Sequence, residues 1–219
     1  IDLKYNLIGS SVNESQFRRC AVDSSGKVYA VGRVGSTSSS AYTPVLIKYD
    51  ADLNIQWSKI TYLNSLQNST AVMTDVAVDS DYVYAIGSYA ESSSVVRSCI
   101  SKYNVTDGSQ VSIKSLTTAS ISAIPSAIVL VNDGIIVSLY TSASSFIVKL
   151  NFDLSIVWQK YVSIDRQLEI SSICIDTSTG NIGIAGRVRI SNYEIFVMML
   201  TPSGDISWQK YVTSSFSDD

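Results

Sequence analysis

The sequence predicts an all-β chain built from four copies of one four-stranded antiparallel unit. Three observations carry this expectation: a tryptophan–lysine signature returns at a regular interval, the apolar runs are strand-length and rich in Val, Ile and Tyr, and clusters of Asp, Asn, Ser and Gly separate them. The signature is Ile55, Trp57 and Lys59, then Ile156, Trp158 and Lys160, then Ile206, Trp208 and Lys210. The last two copies lie one period of about 50 residues apart and the first two lie about two periods apart. The missing copy falls near Gly108, where Gln110, Ile113 and Lys114 stand without an indole.

Each unit opens with an apolar run that ends in an Asp- or Asn-containing turn. It continues in a second run: Val28, Tyr29 to Gly32; Val83, Tyr84 to Gly87; Ile135 to Ser138; Ile182 to Gly186. A serine-rich loop leads to a third run, Ile47 to Tyr49, Ile100 to Tyr103, Ile147 to Leu150 and Val197 to Leu200, and a further turn leads to the tryptophan strand. The units span residues 17–62, 72–116, 126–162 and 170–213, within one domain of residues 1–219. Runs such as Ile128 to Val131 and Phe196 to Leu200 are apolar at consecutive positions, which implies burial on both faces. A four-stranded sheet covered on both faces by copies of itself is the blade of a β-propeller.

With its V-D-x-x-G-x-V-Y-x-x-G and I-K-Y-D…W-x-K elements, the chain resembles the bacterial and phage β-propeller repeat family. In its tryptophan-docked blades it is similar to quinoprotein-like propellers. The resemblance covers residues 17–213 and implies the architecture; Ser/Thr/Tyr-rich, His-poor versions of it imply a virion protein of a tailed phage, of the kind found in cyanophages. Residues 1–8 align with the tryptophan strand, Leu3 standing one period before Trp57. They are therefore expected to be the outer strand of a preceding blade. A ring closed at four blades has no vacant place for that strand, so four complete blades plus one strand point to part of a larger ring or a longer chain. The competing arrangement is a four-bladed ring with the first strand as an extra edge.

Composition removes several classes of function. The 219 residues are 46% hydrophobic and 16% charged, with 40 serines and a net charge of −3, so the chain has no basic field to hold nucleic acid. No run approaches the ~18 apolar residues of a membrane helix, and no membrane insertion is expected. Histidine is absent, which removes Ser-His and Cys-His nucleophile pairs and His-based zinc or iron sites. Cys20, Cys99 and Cys174 are widely spaced and odd in number; Cys20 and Cys174 lie in apolar runs and are expected to be buried thiols.

Candidate chemistry meets simpler readings throughout. Asp23, Asp79 and Asp176 recur at one repeat position without the dense spacing of a calcium loop, so turn closure by the carboxylate accounts for them. Ser203 to Trp208 departs from the sialidase Asp-box, its glycine preceding Asp205. Gly180, Gly183 and Gly186 lie in a hairpin with no helix to cradle a phosphate. Trp57, Trp158 and Trp208 are expected to wedge adjacent blades together rather than stack on sugar or quinone. No catalytic, cofactor-binding or metal-binding residue is assigned, and no cofactor is expected.

The serine loops Gly35 to Tyr42, Tyr89 to Ser94 and Tyr140 to Ser145 combine tyrosine with small hydroxyl residues, a composition suited to adaptable contacts. The expected function is non-enzymatic: a structural or recognition propeller of a virion, in its tail, fibre or decoration. It would contact other virion or surface proteins or a host glycan, with oligomerisation open. The alternative is a secreted or cell-surface bacterial adhesin or lectin, and after it a propeller enzyme domain, a glycosidase or quinoprotein.

Overall fold

The computed structural model of the chain describes residues 14–36, 41–60, 70–92, 95–117, 121–142, 144–162, 167–189 and 193–212. The strand expected over residues 1–8 lies outside them, as do positions 37–40, 93–94 and 143 of the serine loops. The described residues form sixteen strands and no helix. Sheet 1 contains β1 (Glu14–Val22), β2 (Val28–Ser36), β3 (Ala41–Tyr49) and β4 (Ile55–Ile60). Sheet 2 contains β5 (Ala71–Val78), β6 (Tyr82–Ala90), β7 (Val96–Asn104) and β8 (Gln110–Ser115). Sheet 3 contains β9 (Ile124–Val131), β10 (Gly134–Tyr140), β11 (Ser145–Leu150) and β12 (Ile156–Val162). Sheet 4 contains β13 (Gln167–Ile175), β14 (Ile182–Arg189), β15 (Tyr193–Leu200) and β16 (Ile206–Val212). In every sheet the strands pair antiparallel in chain order, which is the blade architecture the repeat predicts.

The recurring aspartates close the hairpins. Asp23 Oδ1 accepts the amides of Ser25 and Lys27 at 2.9 and 3.0 Å, and Asp79 Oδ1 accepts those of Asp81 and Tyr82 at 2.8 and 2.6 Å. Asp176 Oδ1 accepts the amide of Ser178 at 2.9 Å. Side-chain closure of this kind satisfies amides that the tight turn would otherwise leave unpaired. The second oxygens of Asp23 and Asp79 each accept a buried tyrosine hydroxyl, of Tyr29 and Tyr84, at 3.1 Å. One carboxylate therefore ties a surface turn to the core.

Apolar packing is layered between sheets. Tyr29, Val31 and Leu46 of sheet 1 meet Met73, Val83 and Tyr103 of sheet 2. Tyr84, Ile86 and Ile100 of sheet 2 meet Ile135, Val137 and Leu150 of sheet 3, and Ile136 and Ile147 of sheet 3 meet Ile182, Ile184 and Met198 of sheet 4. The first strands form the inner series, β1 against β5, β5 against β9 and β9 against β13; no comparable contact joins β13 to β1 among the described residues.

Two of the indoles are the expected wedges. Trp57 covers the β7–β8 turn so closely that a Cβ on Gly108 would lie 2.8 Å from its ring. Its Nε1 donates to the Val105 carbonyl at 3.2 Å, which also accepts from Lys48 Nζ at 2.6 Å. Trp158 covers Gly204 in the same way, at 2.9 Å. In sheet 2 the register places Ser112 opposite Lys102, as Trp57 stands opposite Lys48. The β11–β12 turn carries Leu154, only 2% exposed and packed in the cluster of Tyr84, Ile100 and Leu150, in the left-handed conformation (φ 69°) that Gly108 (φ 69°) and Gly204 (φ 81°) adopt.

Two expectations are corrected: Trp208, expected to wedge adjacent blades together, is 44% exposed, and not all the cysteines are buried thiols. Cys99 is buried, but Cys20 and Cys174 are exposed free thiols. Cys20 lies on the face of sheet 1 turned away from sheet 2, and Cys174 lies beside Gly183 on the face of sheet 4 turned away from sheet 3. Apolar runs mark faces suited to inter-sheet packing, and at these two ends no described sheet covers them.

Candidate ligand channel

The inner strands share an irregularity. In each of β1, β5, β9 and β13 the pairing skips one residue: Arg18 between Phe17 and Arg19, Thr74 between Met73 and Asp75, Ser126 between Pro125 and Ala127, and Ser171 between Ile170 and Ser172. A bulge leaves its extra residue unpaired and bends the strand, which re-aims the side chain. All four bulge residues line one cavity of about 430 Å³ at the centre of the array. The neighbouring strand must come close to form the bulge. A Cβ on Gly32 would lie 1.9 Å from the Gln16 carbonyl, and one on Gly186 would lie 2.1 Å from that of Glu169, so glycine is required at both. In sheet 3 the corresponding position, by register, is Leu139.

Arg19, Ser88, Tyr140 and Glu169 complete the polar lining. Glu169 Oε2 accepts from Arg187 Nε at 2.8 Å and pairs with its Nη2 at 2.7 Å. Arg18 makes no ion pair among the described residues. Ser126 Oγ and Ser138 Oγ share a hydrogen bond of 2.7 Å, and Thr74 Oγ1 donates to the Ile86 carbonyl at 3.3 Å. Burial, and then Glu169, push the Tyr140 hydroxyl above its ordinary pKa against the pull of Arg187 and Arg18, so it stays a neutral donor. Next to the bulge, Asp75 Oδ2 accepts the Ile128 amide of sheet 3 at 3.0 Å and Oδ1 accepts the Val76 amide at 2.9 Å. Burial raises the Asp75 carboxyl while these two amides and Arg19 draw it down.

The result is a pocket of hydroxyls and guanidinium groups whose lining carboxylate is already paired. Such a surface suits a polyhydroxylated or anionic ligand by hydrogen bonding and charge. Sequence reading did not find the cavity, because a bulge arises from the pairing of two strands. A repeat alignment placing Arg18, Thr74, Ser126 and Ser171 at one position is the signal that locates it. The described parts of the serine loops hold local contacts instead: the Arg33 guanidinium lies 3.8 Å from the Tyr42 ring centroid, and Arg97 pairs with Glu91.

No family model and no curated protein matches this sequence. Among solved structures the chain is similar to the endo-arabinase of Bacteroides thetaiotaomicron, at 10% identity and a TM-score of 0.55, with 91% of this chain and 82% of that one covered. It is similar to the alpha-L-arabinofuranosidase of Lactobacillus brevis at 6% identity and a TM-score of 0.53, covering 90% and 71%. It is also similar to the quinohemoprotein alcohol dehydrogenase of Comamonas testosteroni at 9% identity and a TM-score of 0.52, covering 89% of this chain and 46% of that one. These neighbours are β-propeller enzymes, and at such identities the likeness defines the fold alone. The described residues are all-β, of propeller architecture, with four antiparallel four-stranded blades.

Proposed function

We propose that this chain is a non-enzymatic structural and recognition propeller. We place it in a phage virion, as a tail, fibre or surface-decoration component that contacts other virion proteins or a host glycan. The observation that carries the recognition role is the bulge-built ring of Arg18, Thr74, Ser126 and Ser171 around a cavity of about 430 Å³. Its donors suit an acidic sugar, Arg18 taking the carboxylate and the hydroxyls taking ring oxygens. Glycoside hydrolysis works through two carboxyl groups flanking the scissile bond. Among the described residues lining this cavity the carboxylate is Glu169, held by Arg187. The virion setting is supported by the family resemblance and by the low-charge, Ser/Thr/Tyr-rich composition. A secreted or cell-surface adhesin or lectin would use the same ligand chemistry.

Titration calorimetry against uronate-containing and neutral oligosaccharides tests the role. Binding should favour the acidic sugars, and Arg18→Ala should weaken it about 10- to 100-fold, the range for a charge-assisted hydrogen bond. Release of reducing sugar from arabino-oligosaccharides or from the bound glycan would overturn the non-enzymatic reading. Proteomic analysis of particles purified from the source separates the virion setting from the cell-surface one.

A further inference from the structure

We propose that the interface between sheets 3 and 4 holds a binding site for a phenolic ring, at the place where the two preceding interfaces carry a tyrosine of the chain itself. The site is separate from the channel and does not depend on what the channel binds.

Register defines the place. In each of the first three sheets one residue of the second strand pairs with a lysine of the third: Tyr29 with Lys48, Tyr84 with Lys102, and Ile136 with Lys149. All three second-strand residues are buried and pack into the interface with the next sheet. In the first two, the lysine Nζ lies 5.3 and 5.6 Å from the phenol ring centroid, within reach of a cation–π contact. The phenol hydroxyl donates to the turn aspartate of its own sheet, Asp23 or Asp79. Tyr84 also packs on Phe152 of the next sheet, with 6.1 Å between ring centroids. At the third interface isoleucine replaces the tyrosine. The matching turn bonds, Leu154 N to Asn151 O and Gly204 N to Thr201 O, put Pro202 where Phe152 stands.

These two replacements coincide with a cavity of about 260 Å³, walled by Ile136, Ile175, Ile182 and Pro202, with Asp133 and Lys149 among its polar groups. Trp158 sits on Gly204, as Trp57 sits on Gly108, and does not line it. Apolar cavities of about 150 Å³ accept benzene, so there is room for one ring bearing a hydroxyl. Lys149 is only 8% exposed, and its Nζ donates to Asp133 Oδ2 at 2.8 Å. That bond holds the Asp133 carboxyl below the usual carboxylate range, so at neutral pH it is an ionised acceptor with lone pairs to spare. The cavity thus repeats the surroundings of Tyr29 and Tyr84: apolar walls for a ring, an ammonium beside it and a carboxylate for its hydroxyl. Water satisfies the polar end but not the walls, and an aliphatic chain does the reverse. A phenolic ring meets both, whether it comes as a free phenol or as a tyrosine side chain of a partner polypeptide.

Amide NMR with p-cresol, the tyrosine side chain as a free molecule, tests the site. Saturable shifts should appear at Val131, Ile136 and Ile182, which line the cavity, and not at Tyr29 or Tyr84. Toluene, which lacks the hydroxyl, should bind about tenfold or more weakly, the loss of one hydrogen bond to a charged acceptor. Ile136→Tyr supplies the ring from within, as Tyr29 and Tyr84 do, and should abolish binding while keeping the fold and raising Tm. Asp133→Ala, at an exposed turn position, should bring p-cresol down to the affinity of toluene and leave toluene unchanged, which decides the matter should Ile136→Tyr not fold. Tighter binding of N-acetyltyrosine amide than of p-cresol assigns the ring to a polypeptide, and the reverse order assigns it to a free phenol. The proposal is overturned by no saturable shift at these amides, by equal affinity for p-cresol and toluene, by undiminished binding in folded Ile136→Tyr, or by p-cresol affinity that Asp133→Ala leaves at the parent value.

Discussion

At the level of single residues, the turn aspartates set how the fold responds to acid. Burial works against ionisation of Asp23, but bonds from the Ser25 hydroxyl, the Lys27 and Ser25 amides and the Tyr29 hydroxyl outweigh it and bring its pKa down to about 2. The hydroxyls of Ser178 and Thr179 and the amide of Ser178 bring Asp176 to about 2 as well. Both values lie below the roughly 3.9 of an unfolded aspartate. The stability they contribute is therefore complete above about pH 4 and lost as pH falls through about 2. Asp23→Asn combined with Asp176→Asn should lower stability at pH 7, and its difference from the parent should vanish near pH 2. Urea denaturation across pH 2–7 reads this, and a difference that persists at the acid end contradicts it. These aspartates were legible in the sequence because an Asx turn is a local structure, made by a carboxylate and amides two to four positions on. Arg18 and Ser171 were not legible as partners, since their meeting in one cavity depends on pairing across whole sheets.

Elements dock through matched pairs. The strand and hairpin pattern was readable because alternating apolar runs and turn clusters are repeated four times. Which residue faces which across the interface was not readable, because Trp57 and Gly108 are distant in sequence and meet only when sheet 2 lies on sheet 1. The pairing makes a quantitative claim. Gly108→Leu places a branched side chain against an indole already in contact with the glycine, and should cost about 2–4 kcal/mol by overpacking. Trp57→Ser should cost about 2–4 kcal/mol by leaving a cavity. The double variant puts at these positions the residue types that Ser112 and Leu154 supply at the equivalent repeat positions, and leucine already adopts the required backbone at Leu53 and Leu154. It should therefore be less destabilised than the sum of the two singles, with a coupling of about 1–3 kcal/mol. Guanidinium denaturation of the four proteins closes the cycle; additive costs would show that the pair is not a unit.

Across the whole molecule, repetition makes stability depend on neighbours. Among the described residues each sheet packs mainly on the sheets beside it, so its resistance to opening is its own stability plus one interface term for each covered face. Sheets 2 and 3 have two such faces among the described residues, whereas sheets 1 and 4 have one. Sheet 4 is weaker still on its outward side, where Gly183 and Ala185 occupy the register positions that Tyr29 and Val31 hold in sheet 1. Native-state hydrogen exchange should accordingly rank the sheets. Amides of Val83 to Ile86 and Ile135 to Val137, fully buried at the middle of the array, should open with the global free energy. Amides of β14 should open at roughly 2–3 kcal/mol less, the scale of one lost apolar interface for a few side chains. Equal protection in all four sheets would mean that the end faces are covered in solution as fully as the internal ones.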